Sequence, residues 1–486
     1  MRLEEKDYEI YELICCEEER QVRGLELIAS ENYVSESVLE ATGSILTNKY
    51  AEGYPNKRYY GGCEFIDKIE QLAIDRCCKL FNCKYANVQP HSGSQANAAA
   101  YKALLPDGGI IMSLGLDEGG HLTHGSGVSF SSDQYDFRFY HLDETGHIDY
   151  DALEEQALKI LPDVILCGFS AYPYYIDFKR FREIVDRVKL TKKRLIEAYD
   201  NGFKEQTGTY EEYYELIKET FKLSDYELLE YIDGENCSDD YDPYIQYTTD
   251  TCRLMVDMAH IAGLVAADEY NNQNPCDYAD VVTSTTQKTL RGPRGGIILT
   301  NDDYLIKKIN SAVFPYYQGG PLEHVICAKA VCFKEALQPE FKKYIKKVKE
   351  NTKSLVKELK ELGYVVSDTD THLLLLNTKE SLGITGKEAQ ERLERIGITT
   401  NKNMLPNDTE KPNNTSGLRI GLAALTTRGL RKRNIHDIAL FIDKGLKLNK
   451  ESVYAIDELK EQVEQFSTHV LKNIPNIFWE EDYRWH

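Results

Sequence analysis

Residues 280–300 read DVVTSTTQKTLRGPRGGIILT, and this stretch contains two of the apolar runs from which the fold is predicted. Two apolar runs, at 280–285 and 295–300, flank a turn that is rich in glycine, proline and basic residues. Short apolar runs bounded by such residues are typical of strands that are buried in a sheet. Lys288 follows the first run closely, so the stretch predicts two core strands with a lysine in the loop between them.

Similar apolar runs alternate with helical patterns from about residue 65 to residue 330, at 164–169 and 253–258. This alternation predicts an α/β fold with a mainly parallel sheet between layers of helices. Because ligands bind at the carboxyl ends of the strands in such sheets, the polar residues that end or follow the runs are candidates for a site. They are Ser170, Asp257, Thr285 and Lys288.

A different organisation begins near Pro339. A Lys/Glu-rich helix is predicted at 340–362, and strand-like segments follow at 364–367 and 373–377. We predict an N-terminal helical arm at 1–50, a large domain at 51–338, and a smaller C-terminal α+β domain at 339–486.

Residues 201–250 differ in composition from their surroundings, with 14 acidic residues against 3 basic ones and 8 of the 33 tyrosines. Capping boxes at 209–212 and 224–227 predict two short helices. We interpret about 189–252 as an insertion that joins a helix at 178–188 to the strand ending at Asp257. Helix-to-strand connections open on the amino side of a sheet, which favours a surface addition remote from the ligand crevice. A partner-docking role is the alternative.

The composition excludes several classes of function. A formal net charge of −21 and a pI near 5.1 argue against nucleic-acid binding through a basic face. The twelve cysteines include no C-x-x-C pair, so we expect reduced thiols and no metal site. The first residues do not resemble a signal sequence, and no apolar run approaches membrane-spanning length. We therefore expect a cytoplasmic protein without a membrane partner.

Several polar residues are candidates for chemistry. Asp257 ends an apolar run, where it either pairs with a bound cation or caps the next turn. Residues 91–97 (HSGSQAN) open an Ala-rich helix, and they either bind an anion or merely cap that helix. His121 and His260 either contact a ligand or make structural hydrogen bonds. Arg419 either binds a carboxylate with both arms of its guanidinium or forms a surface ion pair.

Taken together, these motifs closely resemble those of the serine hydroxymethyltransferase family. The similar blocks occur in family order along nearly the whole chain outside about 189–252. They are LIASEN at 27–32, NKYAEGYP at 48–55, RYYGG at 58–62, the motifs around His91 and His121, FSAY at 169–172, VDMAH at 256–260, TTQKT at 285–289, QGGP at 318–321 and SGLRIG at 416–421. Such a set is far more specific than any single motif.

The resemblance implies a pyridoxal 5'-phosphate (PLP) enzyme of fold type I, which works as a homodimer with active sites shared between subunits. It implies the reversible transfer of a one-carbon unit from L-serine to tetrahydrofolate, giving glycine and 5,10-methylenetetrahydrofolate. PLP requires a lysine for covalent attachment, an acid beside its pyridine nitrogen, a phosphate cradle and a group flat against its ring. The sequence offers a candidate for each.

The resemblance also implies roles for individual residues. The residues implied for the cofactor are Lys288 for covalent attachment, Asp257 for the pyridine nitrogen, His121 and His260 for the ring, Ser92, Gly93 and Ser94 for the phosphate, then Ser170, Thr285, and Gly320 of the partner subunit. Those implied for the amino acid are Ser30 and Arg419 for its carboxylate, Glu52 as acid/base group, and Tyr50 and Tyr60 of the partner subunit. Those implied for folate are Leu116, Gly120, His121, Leu122 and Asn403.

Some positions depart from the family pattern. Gln287 stands where the family usually has histidine, so we expect it to influence reaction specificity. Tyr316–Tyr317 replaces small, glycine-like residues, and we expect it to reshape the loop that brings Gly320 to the phosphate. Leu422–Ala423 replaces a Thr-Pro pair, and we expect an effect on folate affinity. Two alternative functions are a folate-independent PLP aldolase acting on β-hydroxy amino acids and a non-catalytic relative whose insertion binds a partner.

Overall fold

The computed structural model describes residues 3–199, 251–448 and 452–475. The capping boxes predicted at 209–212 and 224–227 lie outside the described residues. The strands are β1 Leu25–Glu26, β2 Gly53–Tyr54, β3 Lys57–Arg58, β4 Tyr85–Asn87, β5 Ile110–Leu114, β6 Asp136–Tyr140, β7 Val164–Cys167, β8 Arg253–Asp257, β9 Val281–Thr285, β10 Gly296–Thr300, β11 Val365–Val366, β12 Leu373–Asn377, β13 Ile398–Thr399, β14 Asn401–Asn403 and β15 Gly417–Gly421.

The α-helices are α1 Leu3–Lys6, α2 Tyr8–Arg23, α3 Glu36–Thr42, α4 Glu64–Phe81, α5 Gly93–Leu104, α6 Phe130–Gln134, α7 Tyr150–Ile160, α8 Phe178–Tyr199, α9 Ala262–Ala266, α10 Leu305–Ser311, α11 Glu323–Ala336, α12 Pro339–Glu361, α13 Thr378–Leu382, α14 Gly386–Arg395, α15 Ala423–Thr427, α16 Ile435–Lys447 and α17 Val453–Val470. None of these described helices is both long and apolar enough to cross a membrane.

The largest sheet in the described part of the chain has seven strands, in the order β4-β10-β9-β8-β7-β5-β6. The neighbours from β6 to β9 are parallel, which confirms the predicted α/β fold with a mainly parallel sheet. The run at 295–300 is the exception, because β10 is antiparallel to both β9 and β4. A short loop connects β9 to β10, and a connection of that length only allows the chain to reverse.

The sheet is covered on both faces, as its side chains show. Along β7, Val164 and Leu166 pack with helices α5 and α10, whereas Ile165 and Cys167 pack on the other face with α4, α8 and α11. Successive side chains of a strand point to opposite faces, so a strand with helices on both sides is apolar throughout. This explains why the core strands read as continuous apolar runs.

The helix predicted at 178–188 continues to Tyr199, so its predicted end was too early, while the limits of the insertion at about 189–252 stay a prediction. Lys192 lies in the added part of the helix and is buried, and its Nζ donates to Asp163 Oδ1 at 2.8 Å and to the carbonyl of Thr251 at 3.1 Å. Asp163 directly precedes β7 and Thr251 nearly adjoins β8. The chain therefore leaves and re-enters the described fold at the amino ends of these strands.

A second, four-stranded antiparallel sheet has the order β11-β12-β15-β14. Its core includes side chains of α12, α14, α16 and α17. Leu25 and Leu27 belong to the same core, and β1 pairs in parallel with β13. Part of the predicted N-terminal arm is thus packed against C-terminal elements, while the domain limits at 50 and 338 stay predictions.

Candidate active site

A cavity of about 360 Å³ lies where β8 and β9 end at their carboxyl edge. It brings together residues from distant parts of the chain. The sequence-predicted residues that line it are Ser30, Ser92, Gly93, Ser94, His121, Ser170, Asp257, His260, Thr285, Gln287, Lys288 and Arg419. Residues that the prediction gave no role also line it, among them Glu31, His124 and Arg294.

Lys288 lies in the loop that follows β9. Burial lowers the pKa of its amine to about 8; Asp257 opposes this shift, and Arg419 and Arg294 add to it. The carbonyl of Lys288 accepts a hydrogen bond from Asn32 Nδ2 at 2.9 Å, which ties the loop to the LIASEN segment. A lysine with a lowered pKa has more neutral amine at physiological pH, and the neutral amine is the nucleophilic form.

Asp257 is the last residue of β8, and its carboxylate accepts three hydrogen bonds. Oδ2 accepts from Asn97 Nδ2 at 2.9 Å and from His124 Nε2 at 3.3 Å, and Oδ1 accepts from the amide of Ala259 at 3.0 Å. Burial opposes ionisation of Asp257, but the His124 bond and the nearby positive groups outweigh burial and hold its pKa well below the usual range. The carboxylate is therefore a permanent negative charge in the cavity.

A glycine makes this placement of Asp257 possible. Gly168 directly follows β7 with φ of +95°, and a Cβ at this position would lie 2.0 Å from the carbonyl oxygen of Asp257. Both the left-handed backbone and the close approach exclude other residues there.

The hydrogen bonds assign the tautomers of two histidines. His124 Nδ1 accepts from the amide of His121 at 3.3 Å, so its proton lies on Nε2 and points to Asp257. His121 Nδ1 accepts from the amide of Thr123 at 3.2 Å, so its proton also lies on Nε2. Burial, with a contribution from His124, lowers the pKa of His121 to about 4. The His121 ring is therefore neutral at physiological pH.

His260 contacts a histidine that the sequence analysis missed. Its Nδ1 lies 3.3 Å from Nε2 of His372, which precedes β12, and both rings are buried. Burial lowers the pKa of His372 to about 3 and that of His260 well below its usual value. Both rings are therefore neutral, and one N–H···N hydrogen bond joins them. No local sequence signal marks His372, because its role arises only when β12 packs beside the cavity.

The start of α5 forms one wall of the cavity. Ser92 is the N-cap, and its Oγ accepts from the amide of Gln95 at 3.2 Å. A Cβ at Gly93 would lie 2.6 Å from Thr285 Cγ2, so this position must be small. Thr285 Oγ1 is buried without a hydrogen-bond partner. Free amides at a helix start together with a spare hydroxyl form an arrangement that suits an anion.

Arg419 lies on β15 and is only 9% exposed. Its three partners are neutral oxygens: Ser170 O at 2.8 Å, Asn401 Oδ1 at 3.2 Å and Ser30 Oγ at 3.4 Å. Burial lowers the pKa of the guanidinium to about 10. A buried cation held by neutral groups retains the capacity to bind a carboxylate, and the expected surface ion pair is not formed within the described residues.

Four predicted residues lie together elsewhere. The rings of Tyr50 and Tyr60 are 5.2 Å apart, and a Cβ at Gly320 would lie 3.2 Å from Tyr50 Cζ. A Cβ at Gly319 would lie 3.2 Å from Glu52 Oε1. None of Tyr50, Glu52, Tyr60 and Gly320 is among the described residues that line the Lys288 cavity of the same chain. These four residues thus form a second cluster outside the lining of the Lys288 cavity.

Of the predicted folate residues, His121 lines the cavity, whereas Leu116, Gly120, Leu122 and Asn403 are not among the described residues that line it. Leu116 and Leu122 are exposed apolar side chains that flank the segment of Gly120 and His121. Asn403 lies on β14, two residues after the Asn401 that contacts Arg419. These positions lie close in sequence to cavity residues, and their role in binding stays a prediction.

A metal site is geometrically conceivable at only one described cluster, formed by His121, His124 and Asp257, whose ligand atoms lie within 4.8 Å of one another. Hydrogen bonds within the cluster already account for this proximity.

A mainly parallel sheet, a lysine with a lowered pKa and a buried ionised aspartate, all at the carboxyl edge, define the class: a PLP-dependent enzyme of fold type I.

Comparison with known proteins gives the family. The family model described as serine hydroxymethyltransferase matches residues 3–192 and 240–442, so the chain belongs to the serine hydroxymethyltransferase family. It is 48% identical over 457 residues to a serine hydroxymethyltransferase of Rickettsia prowazekii, covering 93% of each chain. It is 46% identical over 481 residues to a probable serine hydroxymethyltransferase of Rickettsia bellii, covering 98% of each. A serine hydroxymethyltransferase of Mycoplasma mobile is 47% identical to it over 439 residues, covering 90% of each chain.

Proposed function

We propose that this protein binds PLP covalently at Lys288 and transfers a one-carbon unit between L-serine and tetrahydrofolate. The observation that carries the proposal is the buried Arg419, which lies in the same cavity as Lys288 and Asp257 and has only neutral partners. An amino acid whose carboxylate is bound there has its α-carbon held close to the lysine. Family membership supports the same reaction.

The residues present fit PLP. The ionised Asp257 is suited to a protonated pyridine nitrogen, and the amides of Gly93 and Ser94 with the hydroxyls of Ser92 and Thr285 are suited to a phosphate. The neutral ring of His121 is suited to lie against the cofactor. When bound, PLP supplies an electron sink for the carbon that loses its hydroxymethyl group.

The remaining steps are proton transfers and positioning by the protein. We propose that Glu52 is the acid/base group for the serine hydroxyl, with Tyr50 and Tyr60 beside it. Because none of these residues is among the described residues that line the Lys288 cavity of the same chain, they support a homodimer in which each chain completes the site of the other. Leu116, Gly120, Leu122 and Asn403 are the proposed folate contacts, and a cytoplasmic location is part of the same proposal.

A folate-independent aldolase and a non-catalytic relative are the alternatives, and the comparisons favour neither, because the relatives are named serine hydroxymethyltransferases. The visible absorbance of the purified protein provides the first test. We expect a cofactor band that shifts when glycine is added. Glycine formation from serine should then require tetrahydrofolate; formation at the same rate without it would favour the aldolase.

The role of Glu52 is tested with Glu52→Gln. We expect this variant to keep the cofactor band and to bind serine, but to lose most of the tetrahydrofolate-dependent rate, by about 10²-fold or more for the loss of a general acid/base. A variant that transfers the one-carbon unit at the parent rate would exclude the role. Glu64→Gln, on the exposed start of α4, is a suitable control.

A further inference from the structure

Lys329 is a buried lysine that the proposed reaction does not use. It lies on α11, outside the lining of the cavity, and is 1% exposed. Its Nζ donates hydrogen bonds to three main-chain carbonyls: Val88 at 2.7 Å, Gly296 at 2.9 Å and Pro90 at 3.1 Å. Three donor hydrogens exist only on the ammonium form, so the hydrogen bonds favour the charged state, whereas burial lowers the pKa to about 7.

The three carbonyls belong to two segments that shape the cavity. Val88 and Pro90 lie between β4 and the Ser92–Ser94 turn, and Gly296 begins β10 after the loop that carries Lys288. The amide of Gly296 also donates to the Pro90 carbonyl at 2.9 Å. Lys329 therefore links the segment that leads into the Ser92–Ser94 turn to the strand β10, which follows the loop of Lys288.

Gln318 fastens the residues in between. Its Nε2 donates to the carbonyl of Gln89 at 3.0 Å, and its Oε1 accepts from the amide of His91 at 3.0 Å. Main-chain groups of each residue from 88 to 91 are thus held by Lys329 or Gln318. The segment lacks the regular ladder of a strand and depends on these side chains for its conformation.

The packing around Lys329 leaves little room for adjustment. A Cβ at Gly295 would lie 2.4 Å from Lys329 Cε, and a Cβ at Gly296 would lie 2.4 Å from the carbonyl oxygen of Ser92. The glycine pair allows the lysine on one side and the N-cap of α5 on the other to approach the same stretch of backbone. A shift of Lys329 is therefore transmitted to Ser92.

We propose that Lys329 is a positioning residue that sets the main chain of the Ser92–Ser94 turn for the phosphate of the cofactor, without touching the cofactor. This inference rests on the proposed function, because the phosphate is that of PLP. It predicts a defect that depends on the phosphate group of the ligand and spares the rest of the cavity.

The test compares two ligands that differ only in the phosphate. Apoprotein of the parent and of Lys329→Met is titrated with PLP and with pyridoxal, and binding is followed by absorbance. We expect Lys329→Met to weaken PLP by about tenfold or more, which corresponds to about 1.4 kcal/mol, and pyridoxal by less than about twofold. Equal losses for the two ligands, or no loss, would overturn the proposal.

Lys192→Met is the matched control, because Lys192 is also 1% exposed but lies at the amino ends of the strands. It should leave the ratio of the PLP and pyridoxal affinities unchanged. If Lys329→Met does not fold, Lys329→Gln, which keeps two donor hydrogens, replaces it with the same criterion. If the parent binds no PLP, the proposed function fails. The role of Lys329 is then tested by titrating parent and variant with inorganic phosphate. Equal phosphate affinity of the two proteins would overturn that role.

Discussion

Lys288 shows how the surroundings of one residue set its reactivity. Burial lowers the pKa of its amine from the usual 10.5 to about 8. Since the neutral amine attacks the aldehyde of the cofactor, we expect the rate of PLP attachment to the apoprotein to rise with pH and to level off above a midpoint near 8. Stopped-flow absorbance at a series of pH values measures this rate.

Two variants test the direction in which the charges around Lys288 shift the pKa of its amine. Asp257 raises the pKa of the lysine, so Asp257→Asn should move the midpoint to lower pH. Arg419 lowers the pKa, so Arg419→Met should move it to higher pH. A midpoint near that of an ordinary lysine in the parent, or shifts in the reverse directions, would contradict this account.

Among the secondary-structure elements, the hairpin of β2 and β3 positions Glu52. Arg58 on β3 donates through Nη1 to the carbonyls of Ala51 at 2.8 Å and Gly53 at 3.1 Å, which flank Glu52. The same guanidinium pairs with Glu70 of α4 at 2.5 Å, and the Glu70 side chain is 1% exposed. Arg58 thus links a buried carboxylate to the turn of the proposed acid/base group.

Arg58→Met should destabilise the protein by about 3–5 kcal/mol, because it leaves Glu70 buried without its cation. Urea unfolding monitored by circular dichroism measures the loss. The double variant Arg58→Met/Glu70→Gln should recover part of it, since a neutral amide needs no cation. A double variant as unstable as the single one would show that the ion pair is not the cause.

Across the whole molecule, Arg428 joins the two ends of the described chain. It is 1% exposed, and it donates to the carbonyls of Val22 and Gly24 at the C-terminal end of α2 and to those of Ser467 and Lys472 in the last described segment. Buried carbonyls that lose a charged donor are left unsatisfied, and each such loss is unfavourable.

We expect Arg428→Met to lower the free energy of unfolding by at least about 2 kcal/mol, from the value of hydrogen bonds to charged groups. Relative to the parent, hydrogen exchange in the variant should increase more in α2 and α17 than in the seven-stranded sheet. Arg392→Met, at a partly exposed site on α14 that donates to Leu446, is the control and should cost less. Uniform exchange changes across the chain would argue against a local clamp.

The insertion predicted at about 189–252 is expected to lie away from the ligands. The family model does not match residues 193–239, and the chain leaves and re-enters at the amino ends of β7 and β8. Replacing 201–248 with a short Gly/Ser linker should leave PLP affinity and the tetrahydrofolate-dependent rate within about twofold of the parent, because ligands bind at the opposite edge of the sheet. A loss of catalysis with the cofactor band intact would instead place the insertion near the substrates.

Much of this molecule follows from local sequence. The apolar runs predicted the core strands, and the family motifs predicted the residues that meet in the cavity, because both signals are carried by neighbouring positions. Errors occurred where a local signal was weak. The helix predicted at 178–188 continues to Tyr199, and its added part contains the buried Lys192, whose partner Asp163 is remote in sequence.

The fold class and the family could be predicted from the sequence alone, and so could the set of residues around Lys288 that meet in the cavity, since alternating patterns and motif order do not depend on distant contacts. Contacts between remote segments could be found only in the structure: His124 and Asn97 bind Asp257, and His372 meets His260. The structure also places Glu52 outside the lining of the Lys288 cavity and binds Lys329 to the main chain just before Ser92. The reason is physical: a hydrogen bond or a pKa shift depends on which remote segments are packed together and how much water they exclude.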